Sequence, residues 1–326
     1  MPNVVCTGLN TENGPHLEIL RRGGFDCRVA PRDVDLFVND NLIQVLKDAD
    51  AVVAGSEPYT RRVIESLPKL RVIARSGVGF DAVDLAACDD RDIPVCTTPG
   101  VNHHSVAEHT IAMLMGLVRG FPELDRKVRQ GRWNRVSHPR AMGRTLGIVG
   151  LGRIGQAVAW RGVGLGMKVI AYEPYPNAEF VKQWNIELVD LDTLLARSDF
   201  VSLHAPMSKE NLQLMNRERF AKMKTGSLLI NTARGPLVDE AALYEALKSG
   251  HLAGAGLDVF HTEPLPLTSP LLELDNVLLA GHVAGLDDES AYDTAKMYAE
   301  IIVGLWNGVW PEGCVQNLKG RTGWKW

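Results

Sequence analysis

The chain has 326 residues, 45% of them hydrophobic and 23% charged, with a formal net charge of −4. That is an ordinary globular composition, long enough for two cores rather than one, and its charge gives no general attraction to nucleic acid or to an anionic membrane. Five scattered cysteines, odd in number and without a C-x-x-C pair, argue against a disulfide framework or a metal site and for a reducing, cytoplasmic setting; no charged-then-apolar leader and no bilayer-length apolar run is present.

Residues 1–98 alternate short apolar runs with amphipathic stretches. Residues 4–6 read as a strand, 15–22 as a helix and 25–29 as a second strand. Residues 40–47 read as a helix with Leu42, Ile43 and Leu46 on one face, and 51–54, 70–74 and 93–96 as short buried strands. Strands alternating with helices predict a parallel sheet covered on both faces. After Pro99-Gly100 a helix is expected over 104–119, with Asn102 or Ser105 able to cap it. Its apolar residues cover most of its surface, so it is a hinge element, a subunit contact or a plain core helix. Residues 126–144 carry seven cations (Arg126, Lys127, Arg129, Arg132, Arg135, Arg140, Arg144) and no acid. They form either a solvated face or a surface from which an arginine reaches an anionic substrate or a neighbouring subunit.

The alternation returns from about residue 143. Residues 146–149 read as a buried strand, followed by Gly150, Gly152 and Gly155 in G-x-G-x-x-G spacing and then a helix. Gly150 permits the tight turn, Gly152 lets the backbone approach a pyrophosphate, and Gly155 lets helix and strand pack closely. The positive end of the helix then faces the phosphates. The next strand, 167–172, ends at Glu173, where a ribose-binding carboxylate belongs. No Arg or Lys stands between Tyr172 and Asn177 to meet a 2′-phosphate, so the spacing predicts NAD rather than NADP. Further strands are expected at 187–189, 199–204, 226–231, 254–258 and 277–280, against the six of a full dinucleotide-binding domain. Residues 42–53 faintly echo 191–203, which means either two related α/β units or two units obeying the same rules. An amphipathic helix over 289–306 follows, crossing back to the first domain. Four of the seven tryptophans (Trp306, Trp310, Trp324, Trp326) lie near the end of the chain. They pack on the chain's own first domain or on another subunit.

In an open parallel sheet the ligand sits at the carboxyl ends of the strands. Those ends carry His204-Ala-Pro206, Asn231-Thr-Ala-Arg234-Gly235, Asp258 with Glu263-Pro264, and Gly281-His282-Val-Ala-Gly285. A nicotinamide enzyme must move a hydride and, separately, a proton. His282 is the candidate acid and base, because imidazole titrates near neutrality. Glu263 is the candidate carboxylate that supports the imidazolium, and Arg234 supplies the planar fork for a substrate carboxylate and carbonyl. His204 is assigned to lining the cofactor site. In the first domain, Arg75-Ser76-Gly77-Val-Gly79-Phe-Asp81 is a glycine-rich turn after a strand. It is either a structural turn or a carboxylate site made of backbone amides with Arg75 adding charge.

These motifs resemble the D-2-hydroxyacid dehydrogenase family, most closely its phosphoglycerate dehydrogenase-like branch. The resemblance covers nearly the whole chain and rests on residues 75–81, 147–155, 204–206, 231–235, 256–260 with Glu263-Pro264, and Gly281-His282. It implies two doubly wound parallel-sheet domains: a Rossmann cofactor domain over 99–285, and a flavodoxin-like substrate domain from 1–98 and 286–326. It implies an Arg234, Glu263 and His282 catalytic set and NAD as cofactor. The cofactor would be lined by Gly150, Gly152, Arg153, Ile154, Gly155, Glu173, His204, Ala205, Pro206, Thr232, Ala233, Asp258 (on the nicotinamide carboxamide) and Ala284. Arg75, Ser76 and Gly77 would meet the substrate, Arg135 its phosphate near the subunit interface, and the protein would be a homodimer built on the cofactor domains. The branch often carries C-terminal regulatory domains and more often has Asp where this chain has Glu173. Since the chain stops at Trp326, serine feedback through such a domain is not expected.

The expectation is therefore hydride transfer to or from C2 of a D-2-hydroxy or 2-oxo acid, in a cleft between the domains. The basic stretch makes 3-phosphoglycerate the first substrate, with glyoxylate or hydroxypyruvate as the enzymatic alternative. An NAD(H)-sensing interaction protein of corepressor type is the non-enzymatic alternative.

Overall fold

The computed structural model describes residues 1–8, 11–133 and 135–326. It divides into two compact units, one made of residues 1–102 with 286–326 and the other of residues 103–285. Among the described residues, no helix is long and apolar enough to cross a membrane.

The first unit holds five parallel strands: β1 (Asn3–Cys6), β2 (Asp26–Val29), β3 (Ala51–Ala54), β4 (Val72–Arg75) and β5 (Val95–Cys96), in the order β2-β1-β3-β4-β5. That order is the flavodoxin-like one. The central strands are buried on both faces, which is why residues 51–54 and 72–74 read as continuous apolar rather than alternating runs. One face is covered by the chain's own final segment. The helix Asp288–Trp306 starts at Asp287, whose carboxylate caps it by accepting from the Ser290 N–H at 2.7 Å. It buries Tyr298, Ala299, Ile302 and Leu305 against Val4, Cys6, Val72 and Phe25. Trp324 joins this core, with Trp310 and Trp326 packed against it, while Trp306 at the helix end is 43% exposed. Trp306 and Trp326 meet the Phe25 ring edge-on at 5.7 and 5.6 Å, and Trp324 donates its indole N–H to the Asp92 carbonyl at 2.8 Å. Each aromatic pair adds about 0.5–1.5 kcal/mol beyond its buried area. The Trp-rich end thus packs on its own unit.

The second unit holds seven parallel strands: β6 (Thr145–Val149), β7 (Lys168–Tyr172), β8 (Glu187–Leu188), β9 (Phe200–Leu203), β10 (Ser227–Asn231), β11 (Leu252–Leu257) and β12 (Val277–Leu279). The order is β12-β11-β10-β9-β6-β7-β8, so the sheet reverses direction of winding between β6 and β9. This is the Rossmann arrangement with one strand beyond the expected six. Two apolar cores flank the sheet, one around Leu194, Leu203, Leu229 and Leu243 and the other around Met113, Leu114, Ile148 and Val158. Short helices start where an acid or amide caps them, as Asp239 does by accepting from the Ala242 N–H at 3.0 Å.

The long apolar helix, His103–Arg119, packs into this core through Ala107, Met113, Leu114 and Val118, so it is a core helix of the second unit. The basic stretch begins on a helix, Phe121–Arg129, that buries none of its residues and carries Pro122 in its first turn, where proline is well tolerated because those N–H groups have no helical partner. Four of the stretch's seven cations are ion-paired within the protein. Arg126 pairs with Asp275 at 2.9 Å, Arg129 with Asp125 at 2.8 Å and Arg144 with Asp199 at 3.4 Å, while Lys127 pairs with Glu123. The acids come from outside the stretch, which is why its sequence looked uncompensated.

Candidate active site

The glycine turn follows β6. Gly150 has φ 94°, in the left-handed region, and a Cβ placed on it would lie 2.7 Å from the backbone of His204 and Ala205. Only glycine satisfies both demands. Gly152 differs: a Cβ there would meet nothing within 4 Å, so it faces open space. The helix Arg153–Gly164 begins at this point with no side-chain cap. Its first amides therefore remain for an anion, and the space above Gly152 is the room a pyrophosphate needs. Glu173, at the end of β7, accepts from the Leu151 N–H at 2.8 Å and from the Tyr175 N–H at 2.9 Å. It braces the glycine turn, and a carboxylate with two such bonds keeps lone pairs for a ribose diol. The residues present fit a dinucleotide.

His204 follows β9; its N–H donates to the Val149 carbonyl at 2.7 Å and its Nε2 lies 2.8 Å from Ser202 Oγ. Burial pushes its imidazole down to about 3, so it is neutral at physiological pH. Ala205 is half-buried and Pro206 exposed beyond it. β10 ends at Asn231, which holds the following turn by accepting from the Ala233 N–H at 3.1 Å and donating to the Arg234 carbonyl at 2.9 Å. Thr232 is buried, 2.8 Å from Thr110 on the long helix. Gly235 follows Arg234, and a Cβ on it would fall 1.9 Å from the carbonyl carbon of Phe260. The turn that carries Arg234 is therefore in backbone contact with the loop that carries Glu263.

β11 leads into Asp258, a fully buried acid. Its carbonyl accepts from the His282 N–H at 2.7 Å, and its carboxylate accepts from the Val283 and Ala284 N–H groups, each at 2.9 Å. His109, on the long helix, stands 3.7 Å from the same carboxylate. Asp258 thus clamps the turn 282–284, in which His282 adopts φ 57°. A histidine in that region costs on the order of 1 kcal/mol and persists only when surrounding bonds fix it.

His282 Nδ1 lies 2.7 Å from Glu263 Oε2, while Glu263 Oε1 accepts from the Phe260 N–H at 3.0 Å. A cis peptide joins Glu263 to Pro264. Burial tends to raise the Glu263 carboxyl, but the hydrogen bond to His282, the Phe260 N–H and the nearby charges of His282 and Arg234 outweigh it and hold the group below its ordinary value. With Nδ1 committed to the carboxylate, Nε2 is the ring nitrogen left to exchange a proton. The arrangement can hold a neutral imidazole in one tautomer and stabilise it when protonated.

The substrate candidates of the first unit lie at the end of β4. Arg75 is buried and donates from Nε to the Gly79 carbonyl at 2.8 Å. The Ser76 N–H donates to the Ala54 carbonyl at 2.9 Å. That amide extends the sheet ladder, so it does not serve as the carboxylate donor the sequence assigned to it. Gly77 has φ 142° and accepts from the Thr98 N–H at 3.1 Å. Arg135 is exposed. His109, Thr110 and Gly235 are site-supporting residues that the sequence did not single out by role. The first two sit in an apolar helix with no motif, and only the glycine carried a signal, standing directly after Arg234.

The family described as D-isomer specific 2-hydroxyacid dehydrogenase, NAD binding domain, matches residues 111–284. The chain is 43% identical over 283 residues to the glyoxylate reductase of Korarchaeum cryptofilum (strain OPF8), covering 85% of each protein. It is 39% identical over 296 residues to the D-3-phosphoglycerate dehydrogenase of Archaeoglobus fulgidus, covering 90% of this chain and 55% of that protein, so it spans about half the length of that relative. The crystal structure of the TT0316 protein from Thermus thermophilus matches with a TM-score of 0.88 at 36% identity, over 96% of this chain and 99% of that one. The glycine turn, the Rossmann strand order and these likenesses converge: the chain belongs to the D-isomer specific 2-hydroxyacid dehydrogenase family of NAD-dependent oxidoreductases.

Proposed function

We propose that this protein reduces a small 2-oxo acid, glyoxylate or hydroxypyruvate, to its 2-hydroxy acid with NADH, and runs the reverse oxidation with NAD. The observation that carries the chemistry is the 2.7 Å contact between His282 Nδ1 and Glu263 Oε2. In reduction, protonated His282 gives its Nε2 proton to the C2 oxygen, and Glu263 stabilises the imidazolium before transfer. In oxidation, neutral Nε2 takes the hydroxyl proton. Arg234 holds the substrate carboxylate and polarises the carbonyl. Asp258 keeps His282 in place through the turn 282–284. The cofactor supplies or accepts the hydride at its nicotinamide. It is held by the amides of residues 152–155 on the pyrophosphate, Glu173 on the ribose, and a lining that includes residues 204–206, Thr232, Ala233 and Ala284. The Gly77 turn, with Arg75, serves substrate-carboxylate recognition.

The choice of a small acid rests on two observations. Four of the seven cations that favoured a phosphate are ion-paired within the protein, and a relative matched over comparable length in both chains is a glyoxylate reductase. Arg135 and Arg140, both exposed, keep 3-phosphoglycerate as the second reading. We also propose a homodimer. The helix Phe121–Arg129 buries none of its residues, and it and the segment after it leave Phe121, Val128, Trp133, Val136 and Met142 more than half exposed, a surface suited to a second copy. A steady-state panel of 2-oxo acids with NADH, with 3-phosphoglycerate and NAD run alongside, tests the substrate. Higher kcat/KM on glyoxylate or hydroxypyruvate supports the first reading; higher kcat/KM on 3-phosphoglycerate replaces it with the second.

A further inference from the structure

Cys6 and Cys27 play no part in the chemistry above, yet they are placed together. β1 and β2 run parallel with Val4 opposite Cys27. Cys6 is two residues beyond Val4, so its side chain points to the same face of the sheet. The two Sγ atoms are 3.6 Å apart. Cys6 is fully buried, while Cys27 keeps part of its surface and lines a cavity of about 240 Å³ together with Met1, Leu17, Arg21, Phe25 and Asp26. One sulfur is therefore reachable from solvent, beside a cation, and the other waits behind it.

We propose that Cys27 and Cys6 form an oxidisable dithiol, in which Cys27 reacts with a hydroperoxide entering this cavity and Cys6 resolves the product to an intramolecular disulfide. The charge distribution agrees. The hydrogen bond with Cys6, and the Arg21 guanidinium, hold the Cys27 thiol below its ordinary value against burial and the Asp26 carboxylate. The same bond, together with burial, pushes Cys6 up. The remaining cysteines offer no competition: burial pushes Cys88 up to about 12 and raises Cys96 and Cys314 as well. Oxidation follows thiolate character and access.

The chemistry balances in two steps. The Cys27 thiolate attacks one peroxide oxygen, the O–O bond breaks, and the departing alkoxide or hydroxide takes a proton and leaves as alcohol or water. Cys27 is then a sulfenic acid, oxidised by two electrons while the peroxide is reduced. Cys6 attacks the Cys27 sulfur, the S–O bond breaks, and hydroxide leaves with the Cys6 proton as water. Cys6 and Cys27 lie diagonally across the two strands, so bringing the sulfurs from 3.6 Å to about 2 Å requires backbone movement as well as side-chain rotation, and β2, at the edge of its sheet, is the strand placed to supply it.

The test treats the full-length protein with hydrogen peroxide and follows thiol loss by intact mass and peptide mapping. The expected result is a first phase that removes two hydrogens and yields a Cys6–Cys27 linked peptide, roughly tenfold faster than oxidation of Cys88, Cys96 or Cys314. Cys27→Ser should abolish that phase, and Cys6→Ala should leave a Cys27 sulfenic acid that dimedone traps. Mapping on the unaltered protein decides the matter even if the buried Cys6 variant does not fold. Reaction at Cys27 no faster than at Cys314, or a Cys27 disulfide to another chain in place of Cys6, overturns the proposal.

Discussion

Replacing Glu263 with glutamine isolates the support given to His282. The substitution keeps the size of the side chain, but its one amide oxygen can serve only one of the two partners that Oε1 and Oε2 hold now, the Phe260 N–H at 3.0 Å or His282 Nδ1 at 2.7 Å, and the negative charge is lost. A charge-assisted hydrogen bond contributes about 1.5–3 kcal/mol against about 0.5–1.5 for a neutral one. The two side chains are 50% and 36% exposed, so solvent screens the pair and the lower part of the difference applies. A loss of about 1–1.5 kcal/mol in the step that moves the proton corresponds to a fall of roughly 5- to 15-fold in kcat. That figure is a floor, because an amide N–H turned toward Nδ1 would select the wrong tautomer and deepen the loss. Steady-state reduction of glyoxylate gives kcat, and NADH fluorescence titration gives cofactor affinity. A kcat within about 2-fold of the unaltered protein, or a loss explained by weaker NADH binding alone, refutes the reasoning.

The other expectations follow from separate parts of the site. Arg234→Lys removes the planar fork and should lower kcat/KM for the 2-oxo acid by about 10- to 1,000-fold, with NADH affinity kept; a change below that range in stopped-flow and steady-state kinetics counts against its role. Gly152→Val enters open space, so the melting temperature of the cofactor-free protein should hold while the NADH dissociation constant rises at least about tenfold, since the new methyls fill the pyrophosphate site; unchanged affinity by calorimetry contradicts the placement. His204 has an imidazole lowered from 6.5 to about 3. The unfolded chain takes up that proton as pH falls below about 6.5 while the folded chain does not. Stability is therefore complete above that pH and falls by up to about 1.4 kcal/mol per pH unit toward about 3. Urea unfolding of the cofactor-free protein across this range should show the slope, and His204→Gln should flatten it; identical slopes would contradict the assignment.

The fold was legible because its signals are local. Buried parallel strands read as unbroken apolar runs, as in residues 51–54 and 228–230, and Gly150 and Gly155 of the turn after β6 each answer a steric demand of their own. The candidate site was legible for a related reason. A parallel sheet gathers its strand ends, so polar residues after β9, β10, β11 and β12 pointed to one place. What could not be read were contacts set by distant backbone. Nothing near Asp258 in sequence indicates that its carboxylate grips the amides of residues 283 and 284. Nothing near Ser76 indicates that its amide is already bound to the Ala54 carbonyl. Two partners of the basic stretch, Glu123 and Asp125, stand one helical turn before the residues they pair with, whereas Asp275 and Asp199 lie far along the chain and could not be read locally. The Trp-rich end was ambiguous from composition, and the packing of Trp306 and Trp326 on Phe25 settled which surface it covers.

The central claim is that His282 moves the proton and does not hold the cofactor. His282→Asn, mixed in one turnover with saturating NADH and glyoxylate, tests it directly. NADH should bind close to the strength seen in the unaltered protein, and the reduction rate should fall by about 100- to 10,000-fold, the usual range for loss of a general acid. A rate within about tenfold of the unaltered protein, or a folded variant that fails to bind NADH, would contradict it.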